Sequence, residues 1–233
     1  MIFQEFEIRV FLVFSVQLFI VGLYSTLAAL IVRRNRNRST YLIGVFFSLS
    51  VFPFILNAVS TVVRLDPISY YVYVFSVYIL LFSQSFLILF TVNLLKKEIS
   101  RPVLGYLTSY NVLSLVLALI PGSLQYSEGT NWTPVWSLEF YILISVLFAG
   151  AIIIPQTVLS FKLYKKLKET FLKKNFYKLF IGSFINFVSM LSVAYYNAFP
   201  DNEVFRTVWG VITFFMIPSA GILIYLGMRN NLD

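Results

Sequence analysis

Neither cysteine nor histidine occurs anywhere in the sequence. That absence excludes disulfides, thiol nucleophiles, haem ligation through either residue and zinc sites built on them, and no cofactor or metal is expected. Charge is scarce too. Acidic and basic residues together make up 12% of the 233 positions, against about 25% in soluble domains. Hydrophobic residues reach 59% and mean hydropathy is +0.83, so there is too little polar surface to coat a water-soluble particle. No charge stands at the centre of any apolar run. Proton pumps and coupled ion carriers normally hold an ionisable group at that depth, so both classes are disfavoured. No lysine lies midway along the last apolar run, which excludes a retinal Schiff base. Walker motifs, glycine-rich phosphate loops and helix-spaced carboxylate pairs are missing as well. The chain is expected not to be an enzyme.

What the sequence has is seven apolar runs, at 10–32, 41–63, 68–95, 103–120, 140–161, 179–199 and 207–228. Each matches the roughly 17–25 residues that cross a hydrocarbon core. The reading is a single all-α integral membrane domain over 1–233, a seven-transmembrane helix bundle. The first run follows Glu5 and Glu7 and is too long for a signal peptide, so it is a permanent span. Fifteen of the 18 basic residues fall in the odd-numbered loops and the C-terminal end; Arg9, Arg64 and Arg206 lie on the other side with seven of the ten acids. Under the positive-inside rule the N-terminus lies outside and the C-terminus is cytoplasmic, in the plasma membrane. Trp132, Trp136 and Trp209 gather at outer span ends with several tyrosines, as rings at headgroup depth do. The outer segment 121–139 is rich in Gly, Ser, Thr and Pro and reads as loop. The inner segment 162–178 carries Lys162, Lys165, Lys166, Lys168, Lys173, Lys174 and Lys178. These either anchor the topology or dock a protein partner, and Leu163, Leu167 and Phe171 would let the segment lie as a helix on the inner leaflet.

Eight amides lie inside the spans: Gln17, Asn57, Gln84, Asn93, Asn111, Gln156, Asn186 and Asn197. Each is expected to hydrogen-bond between helices, worth about 0.6–2 kcal/mol; a subset converging on one cavity would form a binding site. Ser83, Gln84 and Ser85 cover more than half the circumference of the third span, so at least one faces inward. Pro53, Pro155 and Pro218 are expected to kink their helices. The candidate ligand site is an outer cavity walled by Tyr70, Tyr73 and Tyr78 of the third span, Trp136 and Glu139, Tyr196 and Asn197, and Arg206 and Trp209. Gln84 is the deeper alternative. Aromatic walls with a few polar groups are what ligand pockets combine; the competing role for the same rings is a lipid-facing belt.

Two resemblances follow from these motifs. The basic segment 33–38, the Trp-containing loop before the fifth span, the basic 162–178 segment and the aromatic, basic, Leu-Asp ending of 225–233 resemble the seven-helix N-terminal sensor region of archaeal and bacterial histidine kinases. With the sequence ending at Asp233, that resemblance implies a stand-alone sensor unit that signals through a partner. Pro155 and Gln156, with Gly150 before and Lys162 after, resemble half the signature of PQ-loop seven-helix transporters; the first span has no Pro, and no three-helix repeat is evident. The expected function is receptor- or sensor-like, with a small molecule or lipid as ligand. A small-molecule transporter and a structural subunit of a larger complex are the alternatives. Expected partners are membrane lipids, a cytoplasmic or membrane protein on the lysine segment, or a second copy of the chain, with no nucleic acid.

Overall fold

The computed structural model describes residues 2–34, 37–130 and 132–228, and among them every side chain except those of 2–13 and 203. Arg36 and residues 229–233, which carry part of the basic-loop and terminal-motif readings, lie outside the described residues, as do the side chains of Glu5, Glu7 and Arg9. Among the described residues seven long helices form: α1 (Ile2–Arg34), α2 (Arg38–Val63), α3 (Ile68–Lys96), α4 (Arg101–Leu119), α5 (Leu138–Lys166), α6 (Thr170–Ala198) and α7 (Glu203–Met228). In each, a stretch long and apolar enough to cross a membrane is present. The chain is therefore an all-α membrane-protein bundle. Trp132, Trp136 and Trp209 mark one end, the tryptophan end; the 162–178 lysines mark the other, the lysine end.

Local signals account for the helix ends. Asn37 caps α2, its Oδ1 accepting from Thr40 N at 2.9 Å, and Ser137 caps α5 through Phe140 N at 3.1 Å; both satisfy amides that the first turn leaves orphaned. Arg64 and Lys97 stop α2 and α3 in the left-handed conformation. Several helices outrun their apolar spans. α6 starts at Thr170, nine residues before the expected 179, because lysine is a good helix former and hydropathy marks where lipid ends, not where the helix ends. At about 1.5 Å per residue, the 29 residues each of α5 and α6 exceed a core of about 30 Å. The 162–178 segment is thus two helix ends, broken only by Leu167, Lys168 and Glu169. The expected leaflet-lying stripe does not form: Leu163 is buried in the bundle whereas Phe171 is exposed.

The three intramembrane prolines differ in effect. α2 and α7 continue through Pro53 and Pro218. In α5 the chain widens into a π-turn over Ala149–Ile153, with Ile154 N donating five residues back to Ala149 O. Pro155 has no N–H to offer the carbonyls behind it, and the Gly150 carbonyl accepts instead from Tyr106 Oη of α4 at 3.3 Å.

Helix α3 is the central staff, bonded to four other helices. Ser76 Oγ donates to Pro53 O of α2 (2.9 Å), Asn93 Nδ2 to Ser39 Oγ (2.8 Å), and Asn111 Nδ2 of α4 to Ser85 Oγ (3.1 Å). Gln156 Nε2 of α5 donates to Thr91 Oγ1 (2.8 Å), and Asn186 Nδ2 of α6 to Gln84 Oε1 (2.7 Å). Because α3 is surrounded, Ser83, Gln84 and Ser85 are all buried. α6 and α7 instead meet backbone to backbone at Gly182 and Gly227, where no side chain fits between them.

Candidate functional site

Five of the eight intramembrane amides make the expected helix-to-helix bonds: Gln84, Asn93, Asn111, Gln156 and Asn186. Gln17 on α1, Asn57 on α2 and Asn197 on α6 do not, and all three line a single cavity of about 1440 Å³. Gln17 Oε1 is buried with no hydrogen-bond partner, as are Ser145 Oγ and Trp209 Nε1, which line the same space. Leaving a buried polar atom unbonded costs about 1–3 kcal/mol. Of the eight such atoms among the described residues, these three belong to residues that line the cavity.

The cavity occupies the tryptophan-end half of the bundle, between α1, α2, α3, α5, α6 and α7. From Tyr73 to Gln84 along α3, and from Asn197 to Asn186 along α6, it descends 11 residues, about 16 Å and half the thickness of a bilayer core. Its floor is the Gln84–Asn186 pair. Gln84 is 1% exposed and donates on to Ser83 Oγ at 3.0 Å. Beyond the floor the bundle closes: Tyr24 packs edge-on to Phe47 at 5.3 Å, donates through its hydroxyl to Ile217 O at 3.0 Å, and leaves no room for a Cβ at Gly221.

Over the opposite end lies a folded cap. The 121–139 segment, expected as plain loop, contains a short antiparallel pair, Leu124–Gln125 with Val135–Trp136, in register Leu124 to Trp136, and a 3-10 turn at Glu128–Thr130. The pair brings Tyr126 into a parallel stack on Tyr73, 5.1 Å between centroids and 9° between planes. Trp136 Nε1 donates to Tyr73 Oη at 2.8 Å, and Trp132 sits edge-on to Tyr126 at 5.8 Å. All three tryptophans of the chain line the cavity; their rings serve a site wall and not only a lipid-facing belt.

The rim is cationic. Arg206 donates to Pro200 O at 3.0 Å and to Tyr196 Oη at 3.3 Å, and its guanidinium lies over the Tyr196 ring, 4.6 Å from the centroid. Arg64, which donates through Nε to Thr61 O at 3.0 Å, lines the same end. Among the described residues no carboxylate lines the cavity, and no three His, Cys, Asp or Glu side chains gather as a metal-holding group.

Of the ten residues proposed from sequence, Tyr73, Gln84, Trp136, Tyr196, Asn197, Arg206 and Trp209 line this one cavity. Tyr70, Tyr78 and Glu139 stand elsewhere. The inward face of α3 runs through Tyr73, Ser76, Val77, Leu80 and Gln84. Tyr78 lies about 140° from Tyr73 on a helix wheel and joins a row of rings with Phe75 and Phe82. Tyr70 pairs edge-on with Tyr71 at 5.3 Å. Glu139 is exposed in the first turn of α5, where its charge complements the helix N-terminus. Unforeseen wall residues include Tyr24, Asn57, Tyr126 and Ser145. Asn57 carried a signal as an intramembrane amide; Tyr126 carried none, because only the hairpin register points it inward. Comparison with protein-family models, curated proteins and solved structures returns no match.

Proposed function

We propose that the chain is a receptor-like membrane protein of the plasma membrane that binds a small molecule or lipid in this cavity and has no catalytic activity of its own. The observation that carries the proposal is the sorting of the amides: those that bond to other helices hold the bundle together, and those that do not all face the same space. The positive-inside asymmetry supports an extracytoplasmic tryptophan end and a cytoplasmic lysine end. In that orientation the ligand sits in the outer half of the membrane, and the paired ends of α5 and α6, with their seven lysines, pass the signal to a protein partner. The resemblance to kinase sensor regions agrees with this assignment.

Transport is the second reading, favoured by one feature: the cavity is capped but accessible at one end and closed at Tyr24 and Gly221 at the other, as in an alternating-access carrier at rest in one state. Native mass spectrometry of the purified chain, together with uptake into liposomes over a metabolite panel, separates the two. A bound molecule released by substituting Asn57 and Asn197 with leucine, without saturable uptake, supports the receptor. Saturable uptake refutes it in favour of the carrier, and a stoichiometric protein subunit with no bound molecule refutes both. Reporter fusions at the two termini test the orientation; a cytoplasmic N-terminus overturns it.

A further inference from the structure

We propose that the ligand is an anionic amphiphile, and that it enters sideways from the bilayer through a slot between α1 and α7. This deepens the reading of the cavity as a ligand site and rests on it.

The rim chemistry selects the head. Arginine carries five N–H donors and no acceptor, and the tryptophan indole has one donor and no acceptor. Arg206 commits single bonds to two neutral oxygens, Pro200 O and Tyr196 Oη, which leaves donor capacity to spare. Three residues along α7, on the same helix face, Trp209 Nε1–H has no partner. Its ring is fixed by stacking on Phe205, 5.6 Å between centroids and 6° between planes. Surplus donors, a positive charge and no lining carboxylate among the described residues fit a carboxylate, phosphate or sulfate. They repel a cation and leave a neutral group poorly matched.

Below the rim the wall is predominantly apolar, with Gln17, Asn57 and Ser145 set among hydrocarbon side chains. Phe54, Val77, Leu81, Met190, Phe214 and Ile217 line the descent towards Gln84 and Asn186. A small hydrophilic anion leaves that hydrocarbon surface uncovered, whereas a hydrocarbon tail fills it. The slot explains how such a tail arrives. α1 and α7 touch near the floor through Tyr24 and Ile217, and higher up through the Phe19 and Phe214 rings, 5.9 Å apart. From that ring pair to the tryptophan end, among the described side chains, Ser15, Thr207, Gly210 and Val211 line the cavity and are exposed. Val211 is 61% exposed, and nothing lies within 4 Å of a Cβ placed on Gly210. A residue that faces the cavity and the surroundings at once, at this depth, borders an opening onto lipid.

The three cavity-lining tryptophans make the chain its own reporter. The full chain in phosphatidylcholine nanodiscs is titrated with a bromine-substituted stearate, its methyl ester, acetate and inorganic phosphate, following tryptophan emission. Saturable quenching by the stearate is expected, with affinity about 10- to 100-fold lower for the ester and for Arg206→Gln, the worth of one charge-assisted bond. Arg206→Lys, which keeps the charge, retains part of the affinity and guards against a folding defect. For the route, Ser15→Cys and Val211→Cys, on the two sides of the slot and the only thiols in an otherwise cysteine-free chain, are joined by a bifunctional thiol-reactive linker. Quenching by the stearate is then expected to slow at least about tenfold relative to either single-cysteine variant, since the affinity constant is set by the rim but the rate by access.

Equal affinity for stearate and ester, or indifference to Arg206, overturns the anionic head. Complete competition by phosphate shows a water-borne anion, and an unchanged rate in the linked variant overturns the lateral slot. If no probe saturates while mass spectrometry finds a neutral bound molecule, this proposal fails and the binding function stands. If neither method finds a bound molecule, both fail.

Discussion

A Cβ at Gly182 would stand 2.8 Å from Ile224 N and 2.9 Å from Ala220 O, about 0.7 Å inside the roughly 3.5 Å at which heavy-atom contacts become attractive. The obstructing atoms are backbone and cannot rotate away, so Gly182→Ala must push α6 from α7. A gap of about 0.5–1 Å forfeits a quarter to a half of each remaining contact, and overpacking of this kind costs about 1–3 kcal/mol. Alanine returns up to about 1 kcal/mol through its helix propensity, leaving a net loss of about 0–2 kcal/mol. Gly105 in α4 supplies the control. Nothing lies within 4 Å of a Cβ there, so Gly105→Ala keeps only the propensity gain of about 0.5–1 kcal/mol. The two variants are expected to move in opposite directions, about 1–3 kcal/mol apart, in thermal denaturation or in denaturation in mixed micelles. The same helix pair carries Tyr196 and Asn197 opposite Arg206 and Trp209, so Gly182→Ala should also lengthen the 3.3 Å Arg206 to Tyr196 bond and weaken ligand retention. A Gly182→Ala protein at least as stable as Gly105→Ala would refute the close-packed α6–α7 interface.

Two further outcomes follow from the bonds that frame the cavity. Gln84→Leu and Asn186→Leu in a double-mutant cycle should show a coupling energy of about 0.6–1.7 kcal/mol, the range for polar pairs inside membranes; a coupling of zero would mean that the floor bond contributes nothing. Trp136→Phe keeps the ring packed on Phe140, 5.0 Å away, but strips Tyr73 Oη, on a residue 4% exposed, of its 2.8 Å donor. A loss of about 1–3 kcal/mol, visible as a lower melting temperature, is expected, and an unchanged one refutes the cap's role.

The seven spans were legible because crossing lipid demands a length of apolar chain that few other structures share. Helix ends were less so: the lysines of α6 extend the helix beyond the lipid, and hydropathy is blind to that. Seven of the cavity-lining residues were legible because rings and polar groups on α3, α6, α7 and the segment before α5 share one end of the bundle by topology alone, with Gln84 deeper on α3. Tyr78 was misplaced for an angular reason. Choosing Tyr70, Tyr73 and Tyr78 as one face set the centre of that face by the tyrosines, whereas the true inward face is set by the small and apolar residues Ser76, Val77 and Leu80. The cap was illegible. Two residues per strand give no alternating pattern, so nothing local distinguishes Tyr126 inside from Gln125 outside, although the strand pairing separates them.

The division among the amides has a cause beyond this bundle. Lipid offers no hydrophobic drive for one helix to join another, so a chain of this composition depends on close backbone contact and on polar side chains seeking partners. Its amides therefore face a simple choice: a partner on a neighbouring helix, or exposure where helices do not meet. α3 sits where helices meet on nearly every side, and its amides, Gln84 and Asn93, are both paired. α1 and α2 end their tryptophan-end halves beside a gap, and there Gln17 and Asn57 go unpaired, with Asn197 across from them. A cavity serving only to lighten the packing would be lined most stably by leucine and phenylalanine. Three amides without partners and an indole donor without an acceptor make this half of the bundle less stable than it could be, which is the feature the proposed ligand would offset.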